Sequence, residues 1–156
     1  MRSIAIAAVA LLALAGCPQK SDQAAPAPAP PAPEGPRIGA LMTEIGHRFE
    51  MLGRAATAHR WELAAWELGE LDEALAEVPK AVIPKDVNAE TMRSFPQMLP
   101  IGQLRSALEA KSDVALAAAF SQAAAVCNSC HQANARGFIE VPQEPGAAVP
   151  RLDPKP

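Results

Sequence analysis

The sequence contains no tyrosine and only 4% aromatic residues, and its 156 residues include just three histidines and three cysteines. Alanine and leucine fill the stretches between prolines, and the alternating pattern typical of strands is nearly absent. This composition favours an all-α domain. The few histidines and cysteines also leave little material for a zinc site or a disulfide framework.

No apolar run near the start reaches the about 20 residues that a membrane-spanning helix requires. One positive charge, Arg2, precedes an apolar run of roughly a dozen residues, which is typical of a secretory signal peptide. Residues 14–17 read Leu-Ala-Gly-Cys and resemble the lipobox of bacterial lipoproteins. We therefore expect residues 1–16 to be a lipoprotein signal peptide and Cys17 to be lipidated, which anchors the chain to a membrane. The alternative is an ordinary signal peptide with a chance cysteine.

Proline-rich segments enclose the rest of the chain. Residues 17–36 are rich in proline and alanine, which largely alternate over 26–33, and this predicts an extended, polyproline-like tether. Residues 142–156 are again rich in proline, alanine and glycine, and we interpret them as a tail lying on or off the domain. The folded domain is predicted to span 37–141, which is close to the commonest domain size.

Apolar residues spaced three and four apart predict four helices in this domain. The first spans Ile38–Thr57 and the second Trp61–Glu77. Residues 80–96 contain prolines and are predicted to be irregular, and a third helix follows over 99–110. Ser112 is a candidate N-cap for the fourth helix. Four amphipathic helices in one small domain predict an antiparallel four-helix bundle.

The same periodicity predicts which side chains face the core. On the first helix, Met42 and Phe49 belong to the apolar stripe, whereas His47 falls on the polar face. On the second helix, Ala65 and Trp66 are predicted to be core residues. The opposite face of this helix carries Glu67 and four other glutamates, and we predict that this face is exposed to solvent.

Residues 127–131 read Cys-Asn-Ser-Cys-His, the Cys-x-x-Cys-His pattern of covalent haem attachment. Positions three and four apart lie on one face of a helix. Cys127 and Cys130 would form thioethers with the two haem vinyl groups, and His131 would bind the iron from the same side. The predicted cofactor is one covalent haem c.

Other uses of the cysteine pair are a thiol redox site, a structural disulfide or half of a zinc site. A zinc site needs two further ligands, and only His47 and His59 remain. A thioredoxin-like site needs a βαβ context, which the sequence does not offer. With Cys17 assigned to lipid and the other two to haem, no cysteine is left for a disulfide.

The motif near the end of the last helix resembles that of cytochrome c-prime and its four-helix-bundle relatives. The fragments Trp-Glu-Leu-Ala-Ala-Trp-Glu-Leu at 61–68 and Cys-Asn-Ser-Cys-His-Gln-Ala at 127–133 look like a bacterial branch of such haem bundles. The resemblance covers about 37–141. It implies covalent haem near the end of the last helix, with Cys127 and Cys130 as thioether cysteines and His131 as the proximal ligand.

The resemblance also implies that a helix-one residue faces the far side of the haem. In some relatives a methionine there binds the iron as sixth ligand, and Met42 matches that position best. In others a bulky apolar group covers the iron and leaves it five-coordinate, and here Phe49 and Ile45 could form that cover. His47 and His59 are further candidates. The family often carries arginine four residues after the ligand histidine, where this chain has Ala135, and Arg136 beside it is an open candidate for the propionates.

These expectations together predict a monohaem c-type cytochrome that transfers electrons at the periplasmic side of a membrane. It would not be an enzyme, and it would have a redox partner protein, no nucleic-acid partner and a possible homodimer contact through helices one and two. Pro18 and Gln19, rather than an aspartate, come directly after Cys17, which favours the outer membrane. One alternative is a five-coordinate haem protein that binds a small gas such as NO or CO. Another is a haem-free lipoprotein that uses the cysteine pair for metal or thiol chemistry.

Overall fold

Five α-helices make up most of residues 34–152, the part of the chain that the computed structural model describes. The predicted all-α class is confirmed. Within 34–152 there is no β-strand, only an isolated backbone bridge between Arg37 and Val82. The predicted signal peptide, Cys17 and most of the predicted tether lie outside the described residues. The helices are α1 (Ile38–Thr57), α2 (Trp61–Glu77, followed by a 3-10 turn at Val78–Lys80), α3 (Ala89–Met98), α4 (Ile101–Glu109) and α5 (Asp113–Ala133).

Helices α1 and α2 begin and end at the predicted residues. Their apolar side chains recur at three and four residues, so one stripe of each helix is removed from water. On α1 the stripe buries Ile45, Phe49 and Leu52, and on α2 it buries Leu68 and Leu71. The two helices pack against each other along these stripes.

The predicted faces of α2 are wrong at three positions. Glu67 is only 4% exposed, whereas Trp66 is 52% exposed and Ala65 is also exposed. At Glu67 and Trp66 the cause is Arg48 on α1, whose guanidinium donates to a Glu67 carboxylate oxygen at 3.2 Å and lies 5.2 Å from the centre of the Trp66 ring. A paired carboxylate is tolerated in a buried position, and a cation lying over the ring favours an indole at the helix edge.

The segment 80–96, predicted to be irregular, contains most of α3. Asn88 caps this helix, because its side-chain oxygen accepts from the amide of Thr91 at 3.0 Å. Pro96 suggested a break, but it lies in the last turn of α3. The predicted third helix starts two residues later than expected, at Ile101. Helix α3 therefore stands where an irregular segment was predicted, and α4 stands within the predicted third helix.

Helix α5 begins at the predicted N-cap, because the Ser112 hydroxyl accepts from the amide of Ala115 at 3.2 Å. It ends in a Schellman turn, in which Ala135 takes the left-handed conformation with φ of 55°. The amide of Arg136 then donates to the carbonyl of His131 at 2.7 Å. This turn reverses the chain and brings residues 139–141 beside the last turns of α5.

The segment 142–152, predicted to be a tail, packs along α1 and runs in the direction opposite to it. Its amide at Val149 donates to a Glu50 carboxylate oxygen at 3.2 Å. Further along α1, Gly146 approaches Gly53 so closely that a β-carbon on Gly53 would lie 2.9 Å from the Gly146 nitrogen. A glycine on α1 thus permits this approach.

We expect Gly53→Ala to destabilise the protein by about 1–3 kcal/mol, the cost of forcing a methyl group into a packed interior. The added carbon would lie 2.8 Å from the Phe120 ring as well as against Gly146. Urea denaturation followed by circular dichroism measures the change.

The matched control is Gly69→Ala on α2, where an added β-carbon would meet no atom within 4 Å. Alanine is the better helix former, so this variant should gain about 0.5–1 kcal/mol. Equal gains in the two variants would contradict the close packing of Gly53.

Candidate cofactor site

A cavity of about 580 Å³ lies among α1, α3, α4 and α5 and is lined mostly by apolar side chains. Its volume falls within the about 300–1,000 Å³ that is usual for ligand and cofactor pockets. Cys127, Cys130 and His131 all line it. Their spacing of three and four residues puts them on one face of α5, and that face forms one wall of the cavity.

Two further predicted residues line the same cavity from α1. Met42 is half-buried and packs against the core. Phe49 is buried and stacks on Phe120 of α5, with ring centroids 4.0 Å apart and planes 15° from parallel. The structure therefore brings all five predicted cofactor-binding side chains of the domain around a single space.

The other predicted candidates divide into two groups. Ile45 and His47 also line the cavity, although His47 is exposed, as predicted from its polar face. His59 lies elsewhere, in the turn between α1 and α2. There its Nε2 is 3.2 Å from a carboxylate oxygen of Asp113, and its ring stacks on Trp61. These contacts hold His59 at the turn between α1 and α2, away from the cysteine pair.

The ring of His131 is oriented by the loop that follows α5. Its Nδ1 lies 2.9 Å from the carbonyl oxygen of Ile139. A carbonyl only accepts hydrogen bonds, so Nδ1 carries the hydrogen and donates it. Nε2 is then the nitrogen with a free lone pair. A histidine that binds a metal through one nitrogen commonly donates its other N–H in this way.

The two cysteine thiols are free and half-buried. Burial, and secondarily the neighbouring Cys130, raises the pKa of Cys127 to about 12. Burial also raises the pKa of Cys130, against a hydrogen bond from Asn134 that lowers it. Both thiols are therefore protonated near neutral pH. Cysteines used for thiol redox chemistry usually have lowered pKa values.

Asn134, which is buried, ties the end of α5 to the start of α3. Its side-chain oxygen accepts from the amide of Asn88 at 2.9 Å, and its amide nitrogen donates to the carbonyl of Cys130 at 2.9 Å. The N-cap of α3 is thereby fixed to the helix that carries the motif. Helix α3 can then contribute a wall to the cavity.

The wall that α3 contributes to the cavity was not predicted from the sequence. Met92 and Phe95 on α3 are buried and line the cavity. A signal was available, because the capping residue Asn88 precedes apolar residues at 92, 95 and 99. Met92 is consequently a second methionine beside the cavity, along with Met42.

Arg136, the suggested propionate residue, also lines the cavity. Its guanidinium is already engaged, with Nη2 2.8 Å from a carboxylate oxygen of Asp86 and Nη1 donating to the carbonyl of Asn134 at 2.6 Å. The hydrogen bond from Arg136 lowers the pKa of Asp86. A positive charge therefore stands at this wall with a carboxylate partner beside it.

No protein-family model, curated protein or solved structure matches this chain. Within residues 34–152, no group of three or more His, Cys, Asp and Glu side chains is arranged to hold a metal ion. None of the helices in that range is long and apolar enough to cross a membrane.

The raised pKa of Cys127 gives a test of the site in the cofactor-free chain. With Cys17 and Cys130 changed to serine, iodoacetamide should alkylate Cys127 slowly at pH 8, because burial, the main cause of the raised pKa of Cys127, remains. The rate should rise about tenfold with each pH unit while the fold persists. Mass spectrometry of the alkylated peptide gives the rate.

Unfolding in urea is the control, since it returns the thiol to a pKa of about 8.5 and should accelerate the reaction at pH 8. If folded and unfolded chains react equally fast at that pH, the described burial of Cys127 is incorrect.

Proposed function

We propose that this chain is a monohaem c-type cytochrome, a cytochrome c-prime-like antiparallel four-helix bundle that transfers electrons at the periplasmic side of a membrane. One observation carries the proposal: Cys127, Cys130 and His131 line a single, mostly apolar cavity of cofactor size. A Cys-x-x-Cys-His motif is an attachment site only where its three side chains reach the same space, and this arrangement meets that condition.

The side chains around the cavity fit the chemical parts of haem c. Two thiols suit the two vinyl groups, and the free Nε2 of His131 suits the iron. Apolar walls suit the macrocycle and exclude water from it. Haem supplies a one-electron iron centre whose potential depends on its axial ligands and on burial. The residues of the chain hold the group, orient His131 and keep the site dry.

The short connections support the proposed bundle. Only residues 58–60 separate α1 from α2, and short loops are typical of antiparallel neighbours in helical bundles. The pair α3 and α4 takes the place of a single third helix. In this arrangement α5 returns beside α1, which the stacking of Phe49 on Phe120 supports.

The stacked pair also separates the roles of Met42 and Phe49. Met42 lies seven residues before Phe49 on α1, which is about 10 Å along the helix axis. Cys127 lies seven residues after Phe120 on α5. If α1 and α5 run antiparallel, these two steps point the same way, so Met42 is level with Cys127. We therefore assign Met42 as the sixth iron ligand and Phe49 as an apolar wall beside the haem.

The five-coordinate alternative, a haem protein that binds NO or CO, also has an observation in its favour. Ile45 and Phe49 follow Met42 along α1 and line the same cavity, and they offer an apolar cover for an open iron.

Export, the lipid anchor at Cys17 and the outer-membrane location rest on residues 1–33, and we propose them from the sequence pattern alone.

Visible absorption spectra of the purified protein, oxidised and reduced, test the function. We expect the pigment to survive acid–acetone extraction, because thioether bonds hold it, and we expect a low-spin spectrum. Met42→Ala should convert the spectrum to high spin. Met92→Ala is the matched control, since it removes the other methionine at the cavity and should leave the iron low spin.

Different outcomes would reject different parts of this proposal. An extractable pigment would reject covalent attachment of the haem, and the absence of any pigment would favour the haem-free alternative. A wild-type spectrum that is high spin and shifts with CO would favour the gas-binding alternative. Conversion to high spin by Met92→Ala, and not by Met42→Ala, would move the sixth ligand to α3.

A further inference from the structure

Asn128, the first variable residue between the two cysteines, binds the backbone of Val141 at two points. Its side-chain nitrogen donates to the Val141 carbonyl at 2.8 Å, and its side-chain oxygen accepts from the Val141 amide at 2.8 Å. The amide group thus satisfies both backbone groups of one residue, as a neighbouring strand would. Val141 is 7% exposed, so leaving these groups unpaired would be costly.

This contact and the one that orients His131 belong to the same loop. Asn128 and His131 are three residues apart on α5 and lie on one face. Their backbone partners, Val141 and Ile139, are two residues apart. The intervening carbonyl of Glu140 turns away and accepts from the amide of Arg151 at 2.7 Å. Backbone groups of 139 and 141 thus bond to α5, whereas the carbonyl of 140 bonds to residue 151.

On the other side of Ile139, its amide donates to the carbonyl of Arg136 at 2.9 Å, which closes a turn over 136–139. Gly137 and Phe138 are exposed, and Phe138 is 77% exposed. Ile139 is half-buried, and the first side chain of the hydrophobic core after α5 is Val141. The paired contact at Val141 lies two residues further on and fixes the position of the segment that supplies the Ile139 carbonyl.

We propose that Asn128 is a positioning residue for His131. By fixing Val141 to α5, it holds the Ile139 carbonyl against Nδ1 and so selects the tautomer that leaves Nε2 free. The inference rests on the proposed function in that it concerns His131 as the iron ligand. Hydrogen bonds from the outer nitrogen fix the orientation of a ligand histidine and raise its basicity.

Two variants and a control separate this role from a merely structural one. Asn128→Leu removes both hydrogen bonds and keeps the branching of the side chain with a larger volume, and Asn128→Ala removes them without adding volume if the leucine variant does not fold. Ser129→Ala is the matched control, because Ser129 is the adjacent motif residue, is exposed and donates its hydroxyl within α5, to the carbonyl of Ala125 at 2.8 Å.

The first readout needs no haem. In the full chain without cofactor, ¹⁵N chemical shifts of the His131 ring, taken at a pH where histidines are neutral, report the tautomer. We expect the Nδ1–H form in the wild type and in Ser129→Ala. Asn128→Leu and Asn128→Ala should shift toward the Nε2–H form. Retention of the Nδ1–H form in both variants would overturn the proposal.

The second readout is the midpoint potential of the haem-loaded protein. A less basic His131 stabilises oxidised iron less, so the potential should shift upward in the Asn128 variants and stay unchanged in Ser129→Ala. An unchanged potential in the loaded Asn128 variants would also overturn the proposal. Failure of the wild type to acquire covalent haem would instead reject the proposed function, while the tautomer measurement would still decide the role of Asn128.

Discussion

The hydrogen bond between Nδ1 of His131 and the carbonyl of Ile139 is the interaction on which the candidate site depends. It exists because the chain reverses immediately after α5. That reversal places Ala135 in the left-handed conformation, which costs a residue with a side chain about 1–2 kcal/mol relative to ordinary backbone. The same turn bonds the amide of Arg136 to the carbonyl of His131. One loop therefore holds both the backbone and the ring of this histidine.

The helical repeat supplies the second constraint. A motif with cysteines three residues apart and a histidine next to the second presents all three side chains to one side only if α5 continues through it. Helix α5 does continue, to Ala133, and its last turn is closed by the turn at Ala135. Asn134 then fixes α3 to this end of α5. The cavity wall from α3 and the wall from α5 are thus joined by one buried side chain.

Periodicity was enough to predict α1, α2 and the start of α5, because their apolar stripes and the Ser112 cap are local signals. The burial of Glu67 was not predictable in this way, because its partner Arg48 lies 19 residues away and a lone glutamate ordinarily indicates a solvated face. Helix α3 was not predicted because Pro84 and Pro96 indicate breaks in a helix, whereas the structure places Pro96 in the last turn of α3. The contact of Ile139 with His131 has no sequence signal, because it is made by a backbone carbonyl and every residue type carries one.

The cavity also requires residues beyond 141, which sequence composition alone had separated from the domain. Val149 and Pro150 line it, and the bond from Val149 to Glu50 holds them on α1. A glycine inside a helix costs roughly 0.5–1 kcal/mol relative to alanine. At Gly53 that cost is offset by the close approach of Gly146 and the Phe120 ring, which a larger residue would prevent. The glycine in α1 is thus explained by the same segment that completes the cavity wall.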